Sequence, residues 1–219
     1  MEKRVIIVTG WHYNRHVYSN LKKLENTEVI VINHRKDFNE TGFETYTLPN
    51  TGFDWGCYKQ GMKVITEKGI KFSNLYLIHD DLIFKTDANI LFNKADELLK
   101  EYKVIGNGDT QAQIQEKTFR HPGAKGEKYR RIRQWVETAS GIKVILPFRY
   151  VRGSFVGLTR EVFQKIKSFP IKEGNNINLG NWSLFAFAAY IKYHFGDCVG
   201  FLGEKYCDSP YLEELKRGI

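Results

Sequence analysis

The sequence predicts an α/β fold, an α/β/α sandwich whose N-terminal part is a parallel sheet with crossover helices. Three observations predict it. Short β-branched runs alternate with segments of helical periodicity. The first strand, helix and second strand fit within about 30 residues, the size of a βαβ unit. The 219 residues, 42% of them apolar, can bury one sizeable core, and no repeat or linker divides them. We therefore expect one domain over 1–219, with halves at 1–106 and 107–219.

Arg4 to Thr9 reads as a buried first strand closed by Gly10, followed by a polar turn. Val17, Leu21 and Leu24 then recur at helical spacing, and Thr27 to Asn33 is a second apolar run. Residues 43–48 form a third short strand. Pro49-Asn-Thr-Gly52 breaks it before a helix from about Asp54 to Glu67, which Asp54 is placed to cap. Leu75 to Ile78 is a fourth strand, stopped by His79-Asp80-Asp81 before apolar character resumes at 82–84. An amphipathic helix over 89–102 and a strand over 102–106 follow. Residues 108–126 read as an irregular functional loop, and 129–138 as a short basic helix. Two strands, 142–148 and 152–158, precede a helix over 160–166. The loop 175–181 leads to an aromatic helix over 182–195, whose rings recur at core spacing.

Composition narrows the function less than the pattern does. The net charge of +8 suits nucleic acid, an anionic membrane surface or a phosphorylated small molecule alike. Residues 117–133 hold Lys117, Arg120, Lys125, Lys128, Arg130, Arg131 and Arg133 against Glu127, so a solvated helix face and peripheral membrane contact both fit them. No apolar run is long enough to span a bilayer, and the charged start lacks a signal-peptide core, so a cytoplasmic location is expected. Cys57, Cys198 and Cys207 form no Cys-x-x-Cys pair and suggest neither a disulfide framework nor a thiolate metal site. Walker and Gly-x-Gly-x-x-Gly spacings are lacking, which argues against an NTPase or dinucleotide enzyme.

In parallel α/β sheets ligands sit beyond the carboxyl ends of strands, where Asp80 and Asp81 stand. Neighbours on an extended chain face opposite ways, so one acid is expected to bind a metal and the other to orient ribose, water or an arginine. Carboxylate oxygens favour Mg²⁺ or Mn²⁺, and an ion bridging two phosphates offsets the charge of a departing nucleoside diphosphate. Gly52, Gly56 and Gly61 allow close backbone approach at a helix start that favours phosphate.

An apolar first strand, then Asn50-Thr-Gly-Phe-Asp-Trp-Gly56 before a helix, then a strand ending in an acid pair, resembles glycosyltransferases of the GT-A fold. It looks more narrowly like the family-2-like group that builds surface glycans. The resemblance implies a GT-A-like sandwich whose half at 1–106 is a Rossmann-like nucleotide-binding half, with 107–219 on the acceptor side. It implies that Thr9 and Gly10 hold the nucleotide, that Asn50, Gly52 and Asp54 lie near ribose and diphosphate with Asp80 in support, and that Asp81 binds metal. His79 stands where the family has Asp or Asn, so it is a ligand beside the pair or a core residue. Arg152, Gly153 and Ser154 resemble the small-residue strand that lines the acceptor pocket.

An inverting enzyme needs a carboxylate base. Glu173, Asp208 and Asp109 are the candidates, and inverting and retaining chemistry both stay open. The expected activity is transfer of a hexose from a UDP- or dTDP-sugar to a glycan or lipid-linked acceptor. A sugar nucleotidyltransferase and a basic nucleic-acid-binding module are the alternatives; the first lacks its glycine-rich signature after Gly10, and the second any RNA-recognition or zinc-finger motif, so no nucleic-acid partner is expected.

Overall fold

The computed structural model describes residues 3–35, 41–107, 113–149, 151, 153–167, 169–174 and 180–209. An interior strand of its sheet is β1 (Arg4–Gly10), whose Val5, Ile6, Ile7 and Val8 are fully buried. A strand buried on both faces must be apolar at every position, which explains the continuous run. Alternation sends Val5 and Ile7 into one core and Ile6 and Val8 into another on the opposite face.

On one side β1 pairs in parallel with β2 (Thr27–Asn33), which pairs with β3 (Glu44–Thr47); on the other it pairs with β4 (Asn74–His79). With β5 (Ile83–Phe84), β6 (Val104–Gly106), β7 (Gln113–Ile114), β8 (Phe148–Arg149), β9 (Phe155–Thr159), β10 (Val199–Phe201) and β11 (Cys207–Asp208), the strands form a seven-stranded sheet and two small ribbons. The sheet order is β10-β6-β9-β4-β1-β2-β3. Only β9 runs against its neighbours, β4 and β6. The carboxyl ends of β1, β2, β4 and β6 and the start of β9 therefore meet at one edge.

Helices cover both faces. α1 (Arg15–Leu21) and α3 (Ala88–Leu98) bury Val17, Leu21, Leu91 and Phe92 in the core with Ile6. On the other face lie α2 (Phe53–Glu67), α6 (Arg160–Ile166) and α7 (Gly180–Phe195), with α4 (Glu116–Arg120) and α5 (Ala124–Ser140) beside them. Trp55 anchors that core, with ring centroids 4.6 Å from Phe187, 5.7 Å from Tyr58 and 5.9 Å from Phe169. No helix among the described residues is long and apolar enough to cross a membrane.

The structure corrects four expectations. Residues 113–126 are not irregular: Ile114, Phe119, Ile132 and Val136 give this polar stretch a buried stripe, so α4 forms and α5 runs for 17 residues. Residues 142–147 alternate buried Ile142 and Val144 with exposed Lys143 and Ile145, yet only Phe148–Arg149 finds a partner strand. Asp54 does not cap α2. Gly52 does, at φ 88, and Asp54 lies in the first turn. Finally, β10 and β11 were not expected, being three and two residues long, too short for periodicity to register.

Trp55→Ala is expected to lower unfolding free energy by about 3–5 kcal/mol, the usual cost of emptying a buried aromatic site, as read by urea denaturation with an unchanged slope.

Candidate functional site at the carboxyl edge of the sheet

Asp80 follows β4 and is 1% exposed. Its N–H donates to Thr9 O at 3.3 Å, and one carboxylate oxygen accepts the N–H groups of Trp11 at 2.9 Å and Tyr13 at 2.5 Å. The loop leaving β1 is thus wound around one carboxylate. Tyr13 sits at φ 56, a left-handed conformation that costs a bulky residue energy, and the bond from its amide to Asp80 helps hold it there. Burial pushes the Asp80 carboxyl up; the two amides and His12 work against that shift, and Asp81 adds to it.

The same linkage continues across the edge. The Tyr13 hydroxyl donates its one proton to Asn33 Oδ1 at the end of β2, with Gly10 O also in reach, and Asn33 Nδ2 donates to Thr47 Oγ1, 3.1 Å away, at the end of β3. Buried polar side chains hold the loop's shape because each partner satisfies the next.

Asp81 turns outward. Its carboxylate is partly exposed, with Oδ2 3.8 Å from His12 Nε2 and Oδ1 3.7 Å from His79 Nδ1. Oδ1 is buried and has no hydrogen-bond partner among the described residues. On the far side of His79, Nε2 meets Asp54 Oδ2 at 3.2 Å, and the imidazole stacks on Tyr58 with centroids 6.3 Å apart. Burial pulls His79 toward the neutral form, but Asp54, Asp81 and Asp80 outweigh it and leave its pKa above the ordinary value. The Tyr58 hydroxyl donates to Gly153 O, and His79 N–H to Ser154 O at 3.2 Å. A Cβ on Gly153 would stand 2.5 Å from Asp54 Oδ2, so a larger residue there would displace that carboxylate. Asn107, after β6, donates to Ser154 Oγ at 3.1 Å.

Of the residues singled out in the sequence, Thr9, Gly10, Asp54, His79, Asp80, Asp81, Gly153 and Ser154 therefore come together. Asn50 and Gly52 stand at the entry to α2, where Asn50 Oδ1 is buried with no hydrogen-bond partner among the described residues. A Cβ on Gly52 would meet Ile171 at 2.7 Å, so the segment carrying exposed Glu173 runs beside that entry. Asp208 is buried on β11, accepts from Ser209 N–H at 2.9 Å and pairs with Lys85 at 2.8 Å. Asp109 and Arg152 lie outside the described residues. Sequence reasoning missed His12, Tyr13, Asn33 and Asn107, although each follows or ends a strand at its carboxyl end, the position that marks ligand sites in such sheets.

Among the described residues no group of three or more His, Cys, Asp or Glu side chains is arranged to hold a metal ion. The unpartnered Asp81 oxygen nevertheless fits a single protein ligand to Mg²⁺ or Mn²⁺, ions that commonly keep several waters and complete their shell with substrate phosphates. Cys57, Cys198 and Cys207 are free and buried, and burial raises all three thiols.

No protein-family profile matches this sequence, and no curated protein matches it. Solved structures do. A mannosyltransferase from Pyrobaculum calidifontis, in complex with GDP-Man and Mn²⁺, superposes with a TM-score of 0.52 at 11% identity, covering 94% of this chain and 56% of that one. A CMP:2-keto-3-deoxy-manno-octonic acid synthetase, complexed with CTP, superposes with a TM-score of 0.50 at 10% identity, covering 99% of this chain and 97% of that one. These likenesses establish the fold: a GT-A-like α/β sandwich of the kind shared by glycosyltransferases and nucleotidyltransferases. The chain spans only 56% of the mannosyltransferase's length.

The two aspartates should respond unequally to removal. Asp80→Ala orphans the Trp11 and Tyr13 amides and should cost about 2 kcal/mol, with faster hydrogen exchange at both. Asp81→Ala removes an unsatisfied acceptor and should stay within about 0.5 kcal/mol of the parent. Equal losses in the two variants would contradict this division.

Proposed function

We propose that this protein is a divalent-cation-dependent glycosyltransferase of the family-2-like GT-A group, moving a hexose from a UDP- or dTDP-sugar to a glycan or lipid-linked acceptor. The observation that carries the reading is the Asp81 carboxylate, held outward at the end of β4 with one oxygen buried and unpartnered, while Asp80 shapes the adjoining loop. A loop braced from beneath and an acid left open beside it suit a nucleoside diphosphate lying over the sheet edge.

Asp81 would hold Mg²⁺ or Mn²⁺, and the bound ion would neutralise charge developing on the departing diphosphate. The chain's own residues do the rest. Asp80 and Tyr13 fix the β1 loop, whose Thr9 and Gly10 backbone borders the nucleotide. Asn50 offers its unpartnered oxygen to a ribose hydroxyl. Asp54 and Tyr58 keep His79 upright behind Asp81, making His79 a positioning residue. Gly153 and Ser154 leave room for the acceptor. Glu173, exposed and beside the entry to α2, is our choice of base to take the acceptor hydroxyl proton, since Asp208 is buried and paired with Lys85.

A second reading, sugar nucleotidyltransferase, draws support from the synthetase, whose full length this chain nearly spans, with 97% covered. The loop after β1, Gly10-Trp-His-Tyr-Asn-Arg15, offers one glycine and so little room for a triphosphate.

Product analysis separates the two. With Mn²⁺ and a panel of UDP- and dTDP-sugars, release of the nucleoside diphosphate is expected, and Asp81→Ala should lower it by more than 100-fold, on the scale of lost leaving-group stabilisation. Pyrophosphate formed from a nucleoside triphosphate and a sugar 1-phosphate, with no diphosphate from any sugar nucleotide, would establish the second reading instead.

A further inference from the structure

The charge excess gathers on α4 and α5. Arg120, Arg131 and Arg133 each face a glutamate one helical turn away, namely Glu116, Glu127 and Glu137. Lys117, Lys125, Lys128, Arg130 and Lys143 have no carboxylate within ion-pairing distance among the described residues. Arg130 instead donates to Phe119 O at 2.6 Å, tying α5 to α4 across a cavity of about 320 Å³ lined by Phe119, Arg120, Arg130 and Arg133. Glu137 forms part of the same wall and accepts the Val144 N–H at 3.0 Å. The strip beyond it buries Ile142 and Val144 and presents Lys143 and Ile145, the latter 42% exposed.

We propose that this surface, the helices α4 and α5 with Lys143 and Ile145 at the rim, docks on an anionic phospholipid bilayer. Unpaired cations attract the negative headgroup layer, and an exposed aliphatic side chain enters the headgroup boundary beside them. Nucleic acid fits less well, because single strands are held by exposed rings that stack on bases. Here Phe119 is buried, and Tyr129 lies half-buried against Phe119 and Phe185.

The surface also connects with the candidate site. Trp135 of α5 lies 5.7 Å from Trp182, and the Lys172 ammonium sits 5.4 and 5.2 Å from the two rings. Lys172 follows Ile171, the residue against Gly52. The proposal deepens the functional reading by naming where a lipid-linked acceptor is met, and it rests on that reading only for the acceptor.

The test is co-sedimentation of the full chain with phosphatidylcholine vesicles, alone and mixed with phosphatidylglycerol. Binding is expected only to the mixed vesicles, weakening steeply as salt rises. Replacing Lys117, Lys125 and Arg130 together by glutamine should lower partitioning on the order of 100-fold. Ile145→Ser should lower it roughly tenfold, with little dependence on salt. Unaltered melting curves would show that both variants fold. Equal binding to neutral vesicles, no binding to either kind, or displacement from mixed vesicles by a duplex oligonucleotide at low concentration would overturn the proposal. Because the readout is lipid, a failure of the nucleotide-sugar reading would leave it unchanged; Mn²⁺-dependent nucleotide binding, measured on the same variants, reports on that reading separately.

Discussion

One buried carboxylate organises the edge of this sheet. Asp80 leaves β4 at the level where β1 ends, and its side chain takes two backbone amides from the loop that β1 enters. Removing a carboxylate from water is expensive unless donors replace it, and here the donors come from a different strand. The sheet order that sets β1 against β4 in register is therefore what makes Asp80 tolerable in the interior. In return Asp80 holds Tyr13 in a left-handed conformation, and Tyr13 carries the linkage on to Asn33 and Thr47. Four carboxyl ends are fastened in a single chain of contacts.

With that loop fixed, the remaining acids are free to face outward. Asp81 stands between His12 and His79 with an oxygen to which no group among the described residues donates, and Asp54 restrains His79 from the start of α2. The antiparallel β9 completes the arrangement. Its start brings Gly153 and Ser154 to the same edge as the parallel strands' ends, and the missing side chain of Gly153 is what lets Asp54 approach. Asn107, after β6, and Ile171, against Gly52, come to the same edge.

The sequence displayed some of this plainly. β1, β2 and α6 were legible because their residues are buried on a whole face or on both, so periodicity tracks packing directly. The placement of Asp80 and Asp81 at a carboxyl edge followed from the apolar run before them. Their division of labour was legible only as an alternation, since the Trp11 and Tyr13 amides that distinguish them are backbone groups and leave no mark on residue type. The same holds for the capping of α2, where Gly52 acts through its φ of 88 rather than through a side chain. Residues 113–126 misled because their many charges mask a sparse buried stripe. The ribbon of β5 with β11 joins segments more than 120 residues apart, a distance over which local patterning carries no information.

The proposed role of Asp81 is to hold, through its partly exposed carboxylate, a cation completed by a nucleoside diphosphate. Titration of Mn²⁺ followed by electron paramagnetic resonance tests it directly, with UDP and dTDP present or absent. Weak binding of Mn²⁺ alone is expected, with tight binding once the diphosphate is added and loss of the tight mode in Asp81→Asn but not in Asp208→Asn. Tight Mn²⁺ binding that needs no nucleotide, or that survives in Asp81→Asn, would contradict it.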